Sequence, residues 1–301
     1  MLEDHRHGYY GTLPVFTFIA HFDFVSGLVP DWIEAGSDAP MHTHNHESPE
    51  LIYITKGSMS AEINGDRKTV REGDLMIISP YDLHSADFID KTRTLEYCCL
   101  LFELSILSGC GSDTAKKIEE LRHGSRRFPI VINGSTAKEI GEIMTEIERI
   151  KRTHIADSDH TLSDLRMSAG VCGIMACLLR HSFTVDSPGN TERVLFIRRA
   201  DNYIRDHIAE NISTSGISAD LGFSKCYFCV LFKRYFGSTF TEYLNAFRIN
   251  TAINTYRSTG GSFASIAKSI GFEDYAYFSR CFKKRTGMSP TGYFSVDKNE
   301  V

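Results

Sequence analysis

The sequence lacks the features that direct a chain into a membrane or out of the cell. Its 301 residues include only 8 prolines and 1 tryptophan, and no excess of charge or glycine indicates disorder. The most apolar run, 171–179, is interrupted by Gly173 and is too short to span a bilayer. The first residues do not have the basic-then-apolar order of a signal peptide. We therefore expect a cytoplasmic protein without a membrane partner, long enough for two domains.

The eight cysteines also lack the regular spacing of a disulfide framework. Most of them lie in apolar or helical segments, which predicts reduced, buried thiols. Cys226 and Cys229 form a C-x-x-C pair, the spacing of half a zinc site or of a redox site. No second pair in the sequence completes a tetrahedral set, and this pair falls within an amphipathic helical pattern. We therefore interpret the two cysteines as ordinary residues of a helix rather than as a metal or redox site.

Charge is distributed unevenly along the chain. The whole sequence has a net charge of −5, but residues 192–301 hold 15 Lys and Arg against 10 Asp and Glu, a net of +5. The remaining residues therefore carry a net charge of −10. This asymmetry is expected of a protein in which one domain meets nucleic-acid phosphates and the other has a different task.

Short apolar or alternating runs separated by turn residues extend from Phe16 to Phe102. Asn64-Gly65 stands between two such runs, which is a strong signal for a β-hairpin. Regularly spaced strands of this kind predict a small β-barrel or sandwich. After this segment the apolar period changes to that of helices, first over 136–152 and then over 162–181.

The predicted fold class is α+β with two domains, an N-terminal β-barrel with appended helices and a C-terminal all-α part. The segment Asp186-Ser-Pro-Gly-Asn190 has turn residues and no apolar period, which predicts a linker. The helical section before it carries an apolar stripe that we expect to form a homodimer. The predicted boundaries are 1–110 for the barrel, 111–185 for the helical section, 186–191 for the linker and 192–301 for the all-helical C-terminal part.

A tandem repeat dominates the C-terminal part. The segment 221–237 recurs as 270–287, and aromatic, basic and glycine positions match at a separation of 50. Each copy reads as a short helix, a turn and a second helix, with Gly271 at the left-handed end of the first helix in the second copy. Ser224 is the predicted cap of the second helix in one copy, and Glu273 or Asp274 in the other.

The second helix of each copy has the pattern of a major-groove reader, with an apolar back and a narrow polar or basic front. Its buried stripe in the second copy is predicted to consist of Tyr277, Phe278, Cys281 and Phe282. A long amphipathic helix over 241–256 would hold the two readers at a fixed distance. A plain helical bundle with solvated charges is the alternative, which the tandem repeat and the charge split disfavour.

These motifs make the segment Thr191 to Ser295 similar to the DNA-binding domain of the AraC/XylS family of bacterial regulators. The matching positions are Ile249-x-x-Ala252, Ile266-Ala267-x-x-x-Gly271-Phe272, Tyr277-Phe278-x-Arg280-x-Phe282-Lys283-Lys284 and Gly287-Met-Ser-Pro290. The resemblance implies base contacts from Lys225, Cys226, Cys229, Val230, Ala276, Ser279 and Arg280. It also implies phosphate contacts, which position the protein without reading sequence, from Lys233, Arg234, Lys283 and Lys284. Val230 departs from the family, where Arg is common.

Three histidines alternate in the segment 42–46, so an extended chain would point their side chains to one side. Together with Glu50 and His84 they resemble the two motifs of a cupin barrel. The resemblance places His44, His46, Glu50 and His84 at the positions that bind a divalent metal in cupins that have one. Three interpretations stay open, namely Fe, Mn, Ni or Zn binding, direct contact with a polar effector, and exposed strand histidines. A second register of His42, His44 and Glu50 is also compatible.

The sequence thus predicts a non-enzymatic transcription regulator that binds double-stranded DNA and a small effector such as a sugar. RNA polymerase is a further partner if the protein activates transcription. Tyr9, Tyr10 and Trp32 are candidate stacking faces, and residues 1–14 a regulatory arm by analogy. A metal-dependent cupin enzyme, such as an isomerase or dioxygenase, joined to a DNA-binding module is the alternative. A regulator without an effector, whose barrel only dimerises, is another.

Overall fold

A computed structural model describes residues 15–22, 41–90, 94–154, 161–185 and 188–297. The proposed arm and the aromatic residues Tyr9, Tyr10 and Trp32 lie outside these described residues. The chain divides into two compact units, one that ends at Leu195 and one that begins at Phe196. The protein is therefore an α+β molecule with a β-rich first unit and an all-helical second unit, as predicted.

Two antiparallel sheets form the centre of the first unit. A five-stranded sheet has the order β1-β8-β3-β6-β10, and a four-stranded sheet has the order β2-β7-β4-β5. A two-stranded ribbon joins β11 and β9. The strands are β1 (Val15–Phe22), β2 (Met41–His44), β3 (Glu50–Lys56), β4 (Ser58–Ile63), β5 (Asp66–Arg71), β6 (Leu75–Ile78), β7 (His84–Phe88), β8 (Leu95–Phe102), β9 (Arg126–Arg127), β10 (Val131–Ile132) and β11 (Phe183–Thr184).

The five-stranded sheet is buried on both faces. Successive side chains of a strand point to opposite sides, so they pack into two different cores. Ile52 and Ile54 of β3 face the four-stranded sheet and pack with Met59 and Ile63 of β4 in the barrel interior. Leu51 of the same strand faces outward into a second core, which the helices cover. Burial on both faces explains why β8 reads as a continuous apolar run rather than as an alternating one.

The predicted hairpin at Asn64-Gly65 is confirmed. Strands β4 and β5 pair in register up to Ile63 and Asp66, which leaves a two-residue loop. Both loop residues have positive φ, 53° for Asn64 and 87° for Gly65. This is the pattern of the type I′ turn, which matches the twist of the two strands, and Asn and Gly tolerate it best.

The helices of the first unit are α1 (Ser112–Arg122), α2 (Gly134–His154) and α3 (Thr161–His181). The apolar stripe of α2 is buried inside the chain: Ile140, Met144 and Ile147 lie in the core between α2, α3 and the outer face of the five-stranded sheet. The sheet has a second apolar face that needs cover, and a continuous apolar stripe on the next helix supplies it. A dimer through the helical section 111–185 stays a prediction.

Helix α3 combines a buried face with an exposed apolar one. Val171, Ile174 and Leu178 are fully buried in the helix-covered core. By length and composition this helix could also cross a membrane, contrary to our expectation that no segment approaches that length. Small and apolar residues before the run 171–179 give the helix this character, although Asp164 and Arg166 lie near its start. Its packing against α2 accounts for its buried side.

The predicted linker at 186–191 is partly helical. Helix α4 extends over Pro188–Asp206, so residues 188–191 belong to its first turn. Proline suits the first turn of a helix because its missing N–H would have had no partner within the helix. The Pro-Gly-Asn sequence resembles a turn, and for that reason the pattern favoured a linker. The boundary between compact units falls within α4, after Leu195.

The second unit is helical throughout its described residues. The paired helices of each repeat are confirmed, and Ser224 and Asp274 cap the second helix of their copies. Gly271 has the predicted left-handed conformation, with φ of 86°, as does the equivalent Gly222, with φ of 81°. Phe228 and Phe278 occupy the centre of the two copies and are fully buried. Besides α4, the helices are α5 (Thr214–Asp220), α6 (Lys225–Phe236), α7 (Phe240–Thr259), α8 (Phe263–Ser269), α9 (Tyr275–Thr286) and α10 (Pro290–Asp297).

Candidate barrel site and nucleic-acid interface

Four of the predicted site residues come together between the two sheets. His44 ends β2 and is paired in register with His84, the first residue of the neighbouring β7. Glu50 begins β3 of the opposite sheet, and His46 lies in the loop before it. One ligand atom from each of the four side chains lies within 4.8 Å of all the others. The site is thus assembled from three strand ends that are distant in sequence.

Three of the four side chains are almost completely removed from solvent, and His44 is half-buried. Glu50 is 2% exposed, His84 1% and His46 6%. The rings of His44 and His84 have centroids 4.1 Å apart. A polar group in such a place is costly unless it is hydrogen-bonded or bound to an ion, so burial argues against the interpretation of His46 and His84 as solvent-exposed strand histidines.

Backbone carbonyls fix the orientation of two of the rings. His46 Nδ1 lies 2.7 Å from the Ser48 carbonyl oxygen, and His84 Nδ1 lies 2.7 Å from that of Asp82. A carbonyl only accepts, so each Nδ1 donates. The Nε2 atoms therefore face Glu50 Oε2, at 3.0 Å from His46 and 3.1 Å from His84. In a neutral ring this Nε2 carries a lone pair, so a proton or a cation is needed between it and the carboxylate.

Glu50 is held as a carboxylate. Burial alone would raise the pKa of its carboxyl, but hydrogen bonds to His46 and His84 and their charge hold that pKa well below its ordinary value. On its other side, Cys99 Sγ donates to Glu50 Oε1 at 3.1 Å. Burial raises the pKa of the Cys99 thiol well above its ordinary value, and the neighbouring Glu50 charge adds to this, so the thiol keeps its proton.

This donor set fits a divalent metal ion. Imidazole and carboxylate ligands suit Zn²⁺, Ni²⁺, Fe²⁺ and Mn²⁺. In metal sites a ligating histidine almost always donates its other ring N–H to a carbonyl or carboxylate, which is the arrangement of His46 and His84. His44, His46, Glu50 and His84 would hold such an ion. The alternative register requires His42, whose side chain lies outside the described part of the structure.

The front of α6, the second helix of the first repeat, is exposed as predicted. Lys225, Cys226, Cys229 and Val230 are all exposed, and the exposed fraction of Val230 is 63%. Lys233 and Arg234, the predicted phosphate contacts, are exposed near the C-terminal end of the same helix. The two thiols of the C-x-x-C pair thus lie on the surface of the helix, unlike the buried Cys98 and Cys99.

The front of α9 has a more polar surface. Ala276, Arg280, Lys283 and Lys284 are exposed, and Ser279 is half-buried. One prediction about this helix is wrong: Tyr277, assigned to the buried stripe, is 40% exposed. Its ring sits under the guanidinium of Arg280, 5.8 Å from the centroid, and its hydroxyl accepts a hydrogen bond from Asn245 on α7 at 2.8 Å. Tyr277 therefore restricts the orientation of Arg280 on the exposed face of α9.

Comparison with known protein families gives two matches that together cover both units. The model of a helix-turn-helix domain matches residues 217–295, and that of an AraC-like ligand binding domain matches residues 29–165. The HTH-type transcriptional activator RhaS of Enterobacter sp. (strain 638) is 25% identical over 271 residues, which cover 89% of this chain and 92% of RhaS. The chain belongs to the AraC/XylS family. It is accordingly a DNA-binding transcription regulator with a ligand-binding domain.

Two further comparisons concern, respectively, a part of the sequence and the fold. The arabinose operon regulatory protein of Escherichia coli (strain K12) is 32% identical over 98 residues, which cover 32% of this chain and 34% of that protein. The crystal structure of ToxT from Vibrio cholerae matches 93% of this chain and 97% of ToxT with a TM-score of 0.53. The sequence identity to ToxT is 12%, so this second likeness concerns the fold alone.

Within this AraC/XylS chain, sequence reasoning missed several residues that support the sites. Cys99 lies in an apolar strand, and nothing in its pattern indicated a contact with Glu50. Asn245 and Tyr277 are neighbours through packing of α7 and α9, which no local pattern reveals. An i, i+3 spacing does relate Tyr277 to Arg280, and this helical spacing was the one available signal.

Proposed function

We propose that this regulator binds specific DNA sequences through α6 and α9 and that a ligand at His44, His46, Glu50 and His84 controls its DNA affinity. The observation that carries the proposal is the buried cluster of three imidazoles and a carboxylate in a unit joined to two helix-turn-helix motifs. Differential affinity of a ligand for two arrangements of the protein is what makes such control possible. A protein with this task works in the cytoplasm, where the DNA is.

The ligand that best suits the cluster is a divalent metal ion. The four donor atoms lie within 4.8 Å of one another, close enough to bind one ion. Backbone carbonyls accept hydrogen bonds from the Nδ1 atoms of His46 and His84, so that their Nε2 atoms face inward. A sugar or other polar effector that hydrogen-bonds directly to the same side chains is the alternative. Isothermal titration with Ni²⁺ and Mn²⁺ tests the proposal, and we expect stoichiometric binding.

The double variant His44→Ala/His46→Ala is the matched control for that titration. It removes two imidazole ligands and keeps Glu50, so it should lose metal binding and keep its affinity for DNA without metal. Wild-type protein that binds neither ion would contradict the metal proposal. Metal-independent binding of a polar effector that the same variant abolishes would favour the alternative.

The DNA-reading residues follow from the exposed faces. Arg280 on α9 is proposed to read a base, because its guanidinium is exposed and Tyr277 restricts its orientation. On α6, Cys226, Cys229 and Val230 offer apolar contact to thymine methyl groups rather than strong hydrogen bonds. The first copy thus contributes more affinity than discrimination. Single-position scanning of a selected duplex should give steeper preferences in the part that α9 covers.

A homodimer is proposed to form through the exposed face of α3. Its exposed positions repeat at intervals of three and four residues, the spacing of a coiled-coil seam. Leu162 and Leu165 are 67% and 63% exposed, which is unusual for leucine on a helix. The seam consists of Leu162, Leu165, Ala169, Cys172 and Ala176.

The partner suited to this seam is a second copy of α3, since two such apolar seams complement each other. Sedimentation of the full chain should give a dimer for the wild type and a monomer for Leu165→Glu. Oxidative crosslinking through Cys172 supplies a second readout. A monomeric wild type would contradict the proposal.

A metal-dependent enzyme joined to a DNA-binding module is the second candidate, and the same ligand set is the observation that favours it. Turnover of a small substrate by the metal-loaded protein, lost in His44→Ala/His46→Ala, would support the enzyme. The enzyme interpretation also requires that the affinity for DNA does not change when the protein binds metal. The RhaS and arabinose regulatory proteins are transcription regulators by name, and this favours the first proposal.

A further inference from the structure

A turn that is hydrogen-bonded to two of the three candidate metal-ligand histidines is tied to the helix that leads into the DNA-binding unit. Tyr81 N donates to the His46 carbonyl oxygen at 2.7 Å, and Asp82 accepts through its carbonyl oxygen from His84 Nδ1 at 2.7 Å. The turn formed by residues 81 and 82 thus has a hydrogen bond to each of two site residues. Any repositioning of either histidine acts on this turn.

Arg193 on α4 holds the same turn from its other side. Its Nη1 donates to the Tyr81 carbonyl oxygen at 2.8 Å, and its Nη2 donates to Asp82 Oδ1 at 3.0 Å. Asn64, in the β4–β5 hairpin, completes the contact by accepting from Nη1 at 3.0 Å. A guanidinium can bridge these acceptors because its donors form a rigid planar fork, which a lysine ammonium lacks.

Asp82 is a buried carboxylate at the centre of this arrangement. Its side chain is 2% exposed and also accepts from Arg127, while that of Arg193 is 12% exposed. Tyr81 has φ of 62°, a left-handed conformation that is unfavourable for a residue with a side chain. Residues held in this way at a ligand site often mark a segment with a second accessible arrangement.

The first turns of α4 are fixed to the barrel at a second point. A Cβ at Gly124, where φ is 73°, would lie 2.7 Å from Val194 Cγ2, so the helix approaches the backbone closely there. Asn190 donates to the Gly124 carbonyl oxygen. Helix α4 continues without interruption to Asp206, past the unit boundary after Leu195. One continuous helix therefore has its first turns in the barrel unit and its remainder in the DNA-binding unit.

We propose that Arg193 couples occupancy of the barrel site to DNA binding, because it joins the 81–82 turn between His46 and His84 to helix α4. This inference rests on the proposed metal response and names the residue that transmits it. A ligand that shifts His46 or His84 changes the acceptors that Arg193 holds. The first turns of α4, which carry Arg193 and lie in the barrel unit, are then anchored differently. Arg193 is thus a positioning residue.

The test compares full-length wild type with Arg193→Met, using a duplex selected from random sequences by the wild type and Ni²⁺ as the probe. DNA affinity is measured with and without Ni²⁺, and Ni²⁺ affinity is measured by titration. The wild type should change its DNA affinity at least about fivefold on Ni²⁺ binding, a typical allosteric coupling. In Arg193→Met this ratio should fall to within about twofold of unity, with Ni²⁺ affinity and metal-free DNA affinity nearly unchanged.

Arg67→Met is the matched control, because it removes an arginine that pairs with Glu62 on the barrel surface and is 60% exposed. It should keep the wild-type ratio. Arg193→Met should fold, since Asp82 retains Arg127 and Asn64 as partners. If it does not fold, Arg193→Lys takes its place, since one ammonium cannot bridge all three acceptors, and its ratio should be clearly reduced.

Two negative results have different meanings. If Arg193→Met changes its DNA affinity on Ni²⁺ binding as much as the wild type does, the coupling role of Arg193 is overturned and the metal-responsive regulator stands. The same holds for Arg193→Lys where it replaces Arg193→Met. A wild type that binds Ni²⁺ without any change in DNA affinity would overturn both the response and the coupling. Hydrogen exchange provides a readout besides affinity: amides of residues 190–195 should change protection on Ni²⁺ binding in the wild type and not in the variant.

Discussion

Replacing Gly271 with alanine is expected to destabilise the second helix-turn-helix motif much more than the same change at Gly222 destabilises the first. The two glycines are equivalent in the repeat, and both end the first helix of their copy with left-handed φ, 86° and 81°. An alanine in this conformation costs roughly 1–2 kcal/mol at either position. Apart from the two chain neighbours of Gly222, no atom of the described residues would lie within 4 Å of a Cβ added to this glycine. The conformational cost is then the whole effect.

At Gly271 the same Cβ meets two obstacles. It would lie 2.5 Å from the Ile208 carbonyl oxygen, a backbone atom, and in contact with the guanidinium of Arg248. Arg248 is 7% exposed and donates to the carbonyl oxygens of Ile208, at 3.1 Å and 3.2 Å, and Glu210, at 2.5 Å. Loss of one hydrogen bond from a charged donor adds about 2 kcal/mol. The total for Gly271→Ala is therefore about 3–4 kcal/mol, against about 1–2 for Gly222→Ala.

Native-state hydrogen exchange measures this difference directly, because it gives the opening free energy of α9 and α6 separately. Equal losses in the two variants would refute the reasoning, since the contact with Arg248 would then have no energetic weight. The double variant Gly271→Ala/Arg248→Met isolates that contact. Its loss should be smaller than the sum of the two single losses by about 1 kcal/mol or more, as for residues in direct contact.

Three further predictions concern DNA reading, capping and pH. Arg280→Ala should relax the preference at one base position, whereas Lys283→Ala should weaken all duplexes alike and lower the salt slope by about 1; identical behaviour in binding titrations would contradict these roles. Ser224→Ala removes the acceptor for Tyr227 N and should lower the opening free energy of α6 by about 1 kcal/mol in hydrogen exchange; an unchanged value would show that the cap contributes nothing. Burial raises the pKa of Cys98 to about 12. The stability that comes from the protonated, buried thiol is fully present below the ordinary thiol pKa of about 8.5 and is lost as pH rises towards the folded-state value. Between pH 8 and pH 10 the free energy of unfolding of the wild type, measured by denaturant titration, should therefore fall by about 2 kcal/mol more than that of Cys98→Ala. Equal losses would exclude a protonated, buried thiol.

The sequence predicted the features that depend on local spacing. The tandem copies, the cap at Ser224 and the left-handed Gly271 follow from chemistry within a few residues, and the structure has all of them. The cluster of His44, His46, Glu50 and His84 was predicted through motif positions, although the three strand ends that bring it together meet only in the folded chain. These features require little knowledge of tertiary packing.

The features that local sequence patterns could not predict depend on tertiary packing. The sequence of α2 does not show whether its apolar stripe covers a sheet or a second chain, and in the folded chain it covers the outer face of the five-stranded sheet. Tyr277 fits a buried stripe by period, but Asn245 and Arg280 hold it at the surface. The contacts of Arg193 with the 81–82 turn join residues more than a hundred positions apart, and no local pattern encodes them.

The central claim is that the two copies read DNA together. Helix α7, with 20 residues, spans about 30 Å, close to the ~34 Å between successive major grooves on one face of a duplex. Methylation interference on a duplex selected by the full-length protein tests this claim most directly. We predict two patches of major-groove contact for each protomer, about 10 base pairs apart on one face, with Arg280→Ala altering only one of them. A single patch per protomer, or no enrichment of any sequence, would contradict the account.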